Sequence, residues 1–428
     1  MEDRCWLALR QATLLLLNQP LRATCFGSHH IHSRKSRNSH GRILPPSFFT
    51  RNYPRFGAGG AVAVDLPWLA ACTALFGATL LTAMLTRSHL VAARHLGILD
   101  HPDGRRKRHQ HPVAQAGGLA MAIGCQWAVG LALFALPGGS TDFPALHTLI
   151  IGGALATALG ALDDIVDLKP VAKLLGQLGV GLFFWYQGVR IERVTGFEGV
   201  PMEVPTVIGA SMTALWFALL MNGLNMIDGL DGLAAGVGGI SALTLAALAA
   251  SLGQPTAALA SLAVAGACGG FLVYNHPPAR VFMGDAGSHF LGCQLAAISL
   301  LSSTKTPAVL TLALPLLAVA LPLFETVFAF CRRVASGHHP FRGDRQHLHH
   351  RMIDLGFSDR RTLATFCYLT AACGIVALVS VDLPPHKALL LSLGVLGGLG
   401  VLTWNVRALE QSRRYSLENS PDRLRNKD

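Results

Sequence analysis

GALDDIVDLKP sets Asp163, Asp164 and Asp167 against the end of PALHTLIIGGALATALGAL, a run with no acidic or basic side chain save one histidine. Carboxylates beside a bilayer are costly unless something cationic or wet compensates them, which makes them functional candidates. On a continuing helix Asp163 and Asp167 share a face at i, i+4, with Asp164 beside it, and such like charges require a counter-charge. A divalent metal would supply it, and so would Lys169 and Lys173. The plainer account is a solvated helix end at the interface.

A second stretch, MNGLNMIDGLDGLAAG, repeats Asn222, Asn225, Asp228 and Asp231 every three residues. That spacing keeps successive side chains about 60° apart on a helix end. Glycines at 223, 229 and 232 let phosphate oxygens approach the backbone. Asn carbonyls and Asp carboxylates are the hard oxygen ligands Mg²⁺ prefers, alongside substrate phosphates and water. An Asx-rich turn accounts for one Asn-Gly and one Asp-Gly, but not for four side chains in phase.

Two further stretches add to these. NHPPARVFMGDAGS offers Asp285 from a tight turn at a helix start, where an N-cap is the plainer account. HHPFRGDRQHLHH gathers His347, His349 and His350 with Arg342 and Arg345. If this segment is helical, His347 and His350 share a face. No carboxylate or thiol stands at zinc-ligand spacing, and the arginines suit phosphate or sugar hydroxyls better. A solvated basic loop is the bland alternative. The segment around Asp100, Asp103, Lys107, Arg108 and His109 fits either an anionic lipid head or a basic membrane anchor.

Carboxylates in several loops, a basic arm and a membrane floor point to phosphoryl chemistry between a soluble anionic donor and a lipid phosphate. A metal would bridge the donor's phosphates, and one carboxylate would orient or deprotonate the attacking phosphate.

These residues must be held by membrane helices. The chain has 428 residues, 51% hydrophobic and 14% charged, against about 25% charged in soluble domains. Its apolar residues fall in eleven runs: 66–86, 116–136, 144–162, 171–188, 205–222, 232–252, 256–274, 287–303, 307–330, 362–381 and 387–405. Most have the length of about 20 residues that crosses a hydrocarbon core. The expected fold is therefore all-α and polytopic, with about eleven transmembrane helices.

Alternating these spans puts every motif-bearing loop on one side. That side is also rich in Lys and Arg, so the positive-inside rule makes it cytoplasmic. The expected setting is a multi-pass membrane protein whose site faces the cytoplasm. The cysteines form no CxxC or Cys/His finger and read as small packing residues.

The net charge of +11 is concentrated at the start of the chain, where residues 1–64 hold +7. This distribution gives no support to nucleic-acid binding. Three accounts compete for residues 1–64: a basic peripheral extension, a targeting segment, or translated sequence upstream of the true start, the last being favoured. Residues 65–406 would form the catalytic membrane domain and 407–428 a charged cytoplasmic tail. No internal repeat is evident.

In this order, and between such spans, GALDDxxD, NxxNxxDGxDGLAAG, PARVFMGDAGS and PFxxDRxHLHH resemble the polyprenyl-phosphate N-acetylhexosamine-1-phosphate transferases. The resemblance covers residues 66 to about 405 and looks closest to the branch using UDP-GlcNAc and undecaprenyl phosphate. It implies transfer of N-acetylhexosamine-1-phosphate with release of UMP, initiating a lipid-linked surface polysaccharide such as an O-antigen or cell-wall polymer. It also implies Mg²⁺, with Mn²⁺ as an alternative, and leaves room for a homodimer. The phospho-N-acetylmuramoyl-pentapeptide transferases are the sister branch and the alternative assignment.

Residue by residue, the resemblance implies that Asp163 and Asp164 form the catalytic acidic pair. Asn225, Asp228 and Asp285 would contact metal and pyrophosphate, with Asp231 supporting them; Asp228 and Asp231 would count with the catalytic residues and Asn222 with those that bind the cofactor. Lys107, His109 and Lys173 would hold phosphates, while Arg345, His347, His349 and His350 would meet the donor. The chain departs from the family pattern at Ala114, where a second proline is frequent, at His339 in place of serine, and at Glu325 in place of aspartate.

Two rivals come from other classes. A proton-coupled transporter would place acids near span centres and show an inverted repeat, and neither is seen. A non-catalytic scaffold should have lost some of the aspartates, and all are present.

Overall fold

The computed structural model describes residues 67–97, 99–100, 112–134, 143–195, 201–303, 316–337 and 347–418. Lys107, His109 and Arg345, like residues 1–64, lie outside them.

Each of the eleven apolar runs carries a helix. In chain order these are α1 (Trp68–Leu96, with a π turn at Thr73–Gly77), α2 (Gly118–Phe134), α3 (Phe143–Val166), α4 (Pro170–Tyr186) and α5 (Thr206–Ile227). Then follow α6 (Leu233–Ser251), α7 (Pro255–Asn275), α8 (Gly284–Ser303), α9 (Ala320–Ala335), α10 (Leu348–Asp354), α11 (Asp359–Val379) and α12 (Pro385–Glu418). α10 is a short extra turn outside the apolar runs. Among the described residues seven helices are long and apolar enough to cross a membrane, joined by the shorter apolar α2. Helices satisfy their own backbone groups, the requirement hydrocarbon imposes. The fold is that of an all-α, multi-pass membrane protein.

α6 and α7 pair closely at the centre and bury 72% and 78% of their apolar stretches, whereas α1 and α12 bury 28% and 22%. The first two are therefore core and the last two rim. α8 packs against α3 and α5, and α4 packs on α5. Phe184 of α4 stacks on Phe217 of α5 with ring centroids 4.4 Å apart, both rings fully buried. Small residues set the closest approaches. A Cβ on Gly118 would fall 2.2 Å from the backbone of Gly287, and one on Gly160 would fall 2.2 Å from the Asp285 carbonyl oxygen. Any side chain there would wedge α2 or α3 off α8.

Two short antiparallel ribbons complete the chain: β1 (Leu99–Asp100) with β2 (Val113–Ala114), and β3 (Arg193–Thr195) with β4 (Pro201–Glu203). β2 also fastens the segment before α8. Ala114 N–H donates to the Arg280 carbonyl at 3.3 Å, Phe282 N–H donates to the Ala114 carbonyl at 2.8 Å, and Gly117 and Gly118 donate to Phe282 and Met283. A proline at 114 would lack the first of these donors, which gives Ala114 a structural reason.

The expected boundary at residue 407 is not a break, because α12 runs through it to Glu418.

Candidate functional site

Four helix ends meet where the motifs fall: the C-termini of α3 and α5 and the N-termini of α4 and α8. Lys173, in the first turn of α4, puts Nζ 2.6 Å from Asp163 Oδ2 and 2.5 Å from Asp285 Oδ2. Lys173 thus supplies one of the counter-charges the sequence allowed. Asp163 is buried, and its Oδ1 accepts the Leu168 N–H at 2.8 Å. Asp164 is exposed and turns the other way, accepting the N–H groups of Asp285 and Ala286 at 2.8 and 3.0 Å. Its carboxylate thereby caps α8, where unpaired N–H groups and the helix dipole favour negative charge.

Asp285 stands in the first turn of α8. Its second oxygen accepts the amide of Asn225, which also donates to Ser288 Oγ at 3.1 Å. Asp228 caps the C-terminus of α5. Burial and the nearby carboxylates of Asp285, Asp164 and Asp231 push its carboxyl well above the ordinary range. Asp163, Asp164, Asp228 and Asp285 thus converge with Lys173, negative charge in excess.

Two expectations are corrected. Asp167 does not share the face of Asp163, because α3 ends at Val166 and Asp167 takes a left-handed φ of 52° before the extended Lys169 that precedes Pro170. The residue before a proline is pushed out of the helical region, which enforces the break. The Asn/Asp cluster is not one helical stripe either. α5 stops at Ile227, and Asp231 turns to accept the Ala279 N–H at 2.8 Å, tying its own turn to the segment before α8. Asn222 donates to Gln177 Oε1 at 2.5 Å and to the Ala218 carbonyl, so both its amide hydrogens are engaged within the protein.

Gln177, His289 and Asn275 were not singled out by sequence. Gln177 and His289, both fully buried, lie 2.9 Å apart, and His289 Nδ1 stands 2.6 Å from the Asp285 carbonyl. Since that carbonyl only accepts, Nδ1 carries the proton, and the imidazole steadies the first turn of α8. Asn275, also buried, accepts the Gly232 N–H at 3.0 Å and donates to the Val281 carbonyl at 2.8 Å. Polar side chains in apolar helices were the available signal.

The histidine arm starts as His347 capping α10, so His347 and His350 are not two members of one helical face. His347 stacks with His349 at 5.7 Å between centroids, and His349 and His350 approach to 4.2 Å. His347 and His349 are buried, which excludes a solvated loop for these two. Glu325 of α9 accepts from the Leu348 N–H at 3.5 Å and lies 3.4 Å from His347 Nδ1. A Cβ on Gly229 would fall 3.0 Å from His349 Nε2, so the arm reaches the turn that carries Asp228.

Among the described residues no three His, Cys, Asp or Glu side chains form a ready metal cage. Mg²⁺ does not require one, since it is held by one or two carboxylates with substrate phosphates and water. The excess negative charge around Asp228 is of the sign that would attract such a cation, and Asp228, Asp285 and Asn225 carry side-chain oxygens there.

A family model described as glycosyl transferase family 4 matches residues 146–303, which include the carboxylates and Lys173. Similar proteins include a probable undecaprenyl-phosphate N-acetylglucosaminyl 1-phosphate transferase of Bacillus subtilis, 32% identical over 66% of this chain and 77% of that one. A decaprenyl-phosphate N-acetylglucosaminephosphotransferase of Mycobacterium tuberculosis is 32% identical over 76% and 86%. An undecaprenyl-phosphate alpha-N-acetylglucosaminyl 1-phosphate transferase of Escherichia coli K12 is 28% identical over 68% and 77%. With the carboxylate cluster assembled from the same segments that carry the motifs, the chain belongs to glycosyl transferase family 4.

Proposed function

We propose that the chain transfers N-acetylglucosamine-1-phosphate from UDP-GlcNAc to undecaprenyl phosphate at the cytoplasmic face of a bacterial inner membrane, initiating a lipid-linked surface polysaccharide. The observation that carries this reading is the meeting of Asp163 and Asp285 at Lys173, with Asp164 on the first N–H groups of α8 beside them, at helix ends where a lipid phosphate would lie. The names of the similar proteins support the acceptor class and the sugar.

An oxygen of the lipid phosphate attacks the β-phosphorus of the nucleotide sugar. The bond from that phosphorus to the bridging oxygen breaks, and UMP leaves with its electron pair. Bound Mg²⁺ would offset charge on the pyrophosphate. Asp228, Asp285 and Asn225 would hold it. Lys173 offsets part of the charge of Asp163 and Asp285 and eases the entry of a phosphate into an otherwise repulsive site. Asp164, the exposed carboxylate of the pair, orients the attacking phosphate or takes its proton. The histidines of α10 lie across the Asp228 turn, on the side where the donor sugar and pyrophosphate would sit.

Membranes containing the protein, incubated with sugar-labelled UDP-GlcNAc, undecaprenyl phosphate and Mg²⁺, should move label into the organic phase, and EDTA should stop it. No label in that phase, or indifference to EDTA, rejects the reading.

A further inference from the structure

α10 is only seven residues long, LHHRMID, and far too short to hold itself. Its N-terminal end is tied to α9 through Glu325. Its other end meets a part of the chain with no motif at all. Arg351 Nη1 donates to Glu410 Oε2 of α12 at 2.6 Å, and both residues are buried. Arg413, one helical turn further, donates to the carbonyl of Asp354, the last residue of α10, at 3.1 Å. It lies so close to Gly356, held at φ 95°, that a Cβ there would come within 3.3 Å of its guanidinium.

The length of α12 explains how it reaches α10. Its 34 residues span about 50 Å at about 1.5 Å each, well beyond a hydrocarbon core of about 30 Å. By sequence its apolar run is 387–405, so Arg407, Glu410 and Arg413 follow that run on the same helix. Arg332 and Arg407 also press on the Arg351 charge. Glu410 offsets part of this positive charge through its bond to Arg351.

We propose that Glu410 and Arg413 are positioning residues, and that the end of α12 is a brace which, through Arg351, fixes how α10 presents its histidines to the nucleotide-sugar donor. The donor half of this inference rests on the transferase reading above, whereas the brace itself does not. Among the described residues, the contacts of Arg351, Glu410 and Arg413 run between α10 and α12 and not to Lys173 or the carboxylate cluster. Loosening the brace therefore weakens donor binding and spares the acceptor.

The test uses the full chain in lipid nanodiscs. Glu410→Gln should speed hydrogen exchange of residues 348–354 by about tenfold or more, with the end of α5 unchanged. It should raise the KM for UDP-GlcNAc by about tenfold, leave kcat within about threefold, and leave the KM for undecaprenyl phosphate in place. Because Arg351 and Glu410 share one ion pair, Arg351→Gln combined with Glu410→Gln should cost less than the sum of the two single variants. Unchanged exchange overturns the brace, as do additive effects. Equal changes in both KM values or a uniform loss of kcat overturn its link to the donor. If Glu410→Gln yields no folded protein, Arg413→Gln must show the same exchange and KM changes at smaller size, and their absence counts against the proposal. If the unaltered protein releases no UMP, the transferase reading falls and the brace is judged on exchange alone.

Discussion

Lys173 stands between carboxylates from two different helices, so its charge is the residue-scale point on which the cluster turns. Lys173→Met leaves Asp163 and Asp285 facing each other without compensation. We expect kcat/KM to fall by about 100-fold or more, with a loss of stability of about 3 kcal/mol, as when one partner of a buried pair is removed. Thermal unfolding in detergent alongside UMP release checks both, and Lys173→Arg should recover most of the stability. Asp231 calls for a different outcome. Its oxygen accepts the Ala279 N–H, a bond that asparagine can also accept. Asp231→Asn should therefore keep kcat within about threefold, whereas Asp231→Ala should lose about tenfold through the freed segment before α8. Equal damage from both would mean that the charge itself is used.

At the scale of elements, Gly160 decides how near α3 comes to α8. Gly160→Ala puts a Cβ 2.2 Å from the Asp285 carbonyl oxygen, whereas Gly130→Ala meets nothing within 4 Å. The first should cost about 1–3 kcal/mol and most of the activity, the second neither, by the same two assays. The helices themselves were legible, since every apolar run became one. Pro170 already marked the break that removes Asp167 from the Asp163 face. Which side chains meet across helices was not legible. Asn222 finds Gln177 45 residues away and Arg351 finds Glu410 59 residues away, and no local pattern encodes such distances. Glu410 also lay past the limit drawn at residue 406, because hydropathy marks where lipid ends and says nothing of where a helix ends.

For the whole molecule, alternation of the helices puts the carboxylate cluster and α10 at one end and the β3–β4 ribbon at the other. With the cluster facing the cytoplasm, a cysteine-free variant carrying Gln187→Cys should be labelled by an impermeant maleimide on intact cells. Phe357→Cys should be labelled only after permeabilisation. The reverse pattern would invert the proposed orientation.

The Lys173 contacts also bear on how the protein is made. Asp163 and Lys173 lie on consecutive helices, whereas Asp285 follows Lys173 by 112 residues. During synthesis, α3 and α4 leave the ribosome as a hairpin whose acid and base neutralise each other at the bilayer edge, where a lone charge would resist insertion. Asp285 arrives only with α8, after three more helices, and completes the cluster on a scaffold already in the membrane. A nascent chain stopped before α8 would thus hold the Asp163–Lys173 pair with Asp164 and Asp228 already made, and the cluster that Asp285 completes would exist only once α8 is in place.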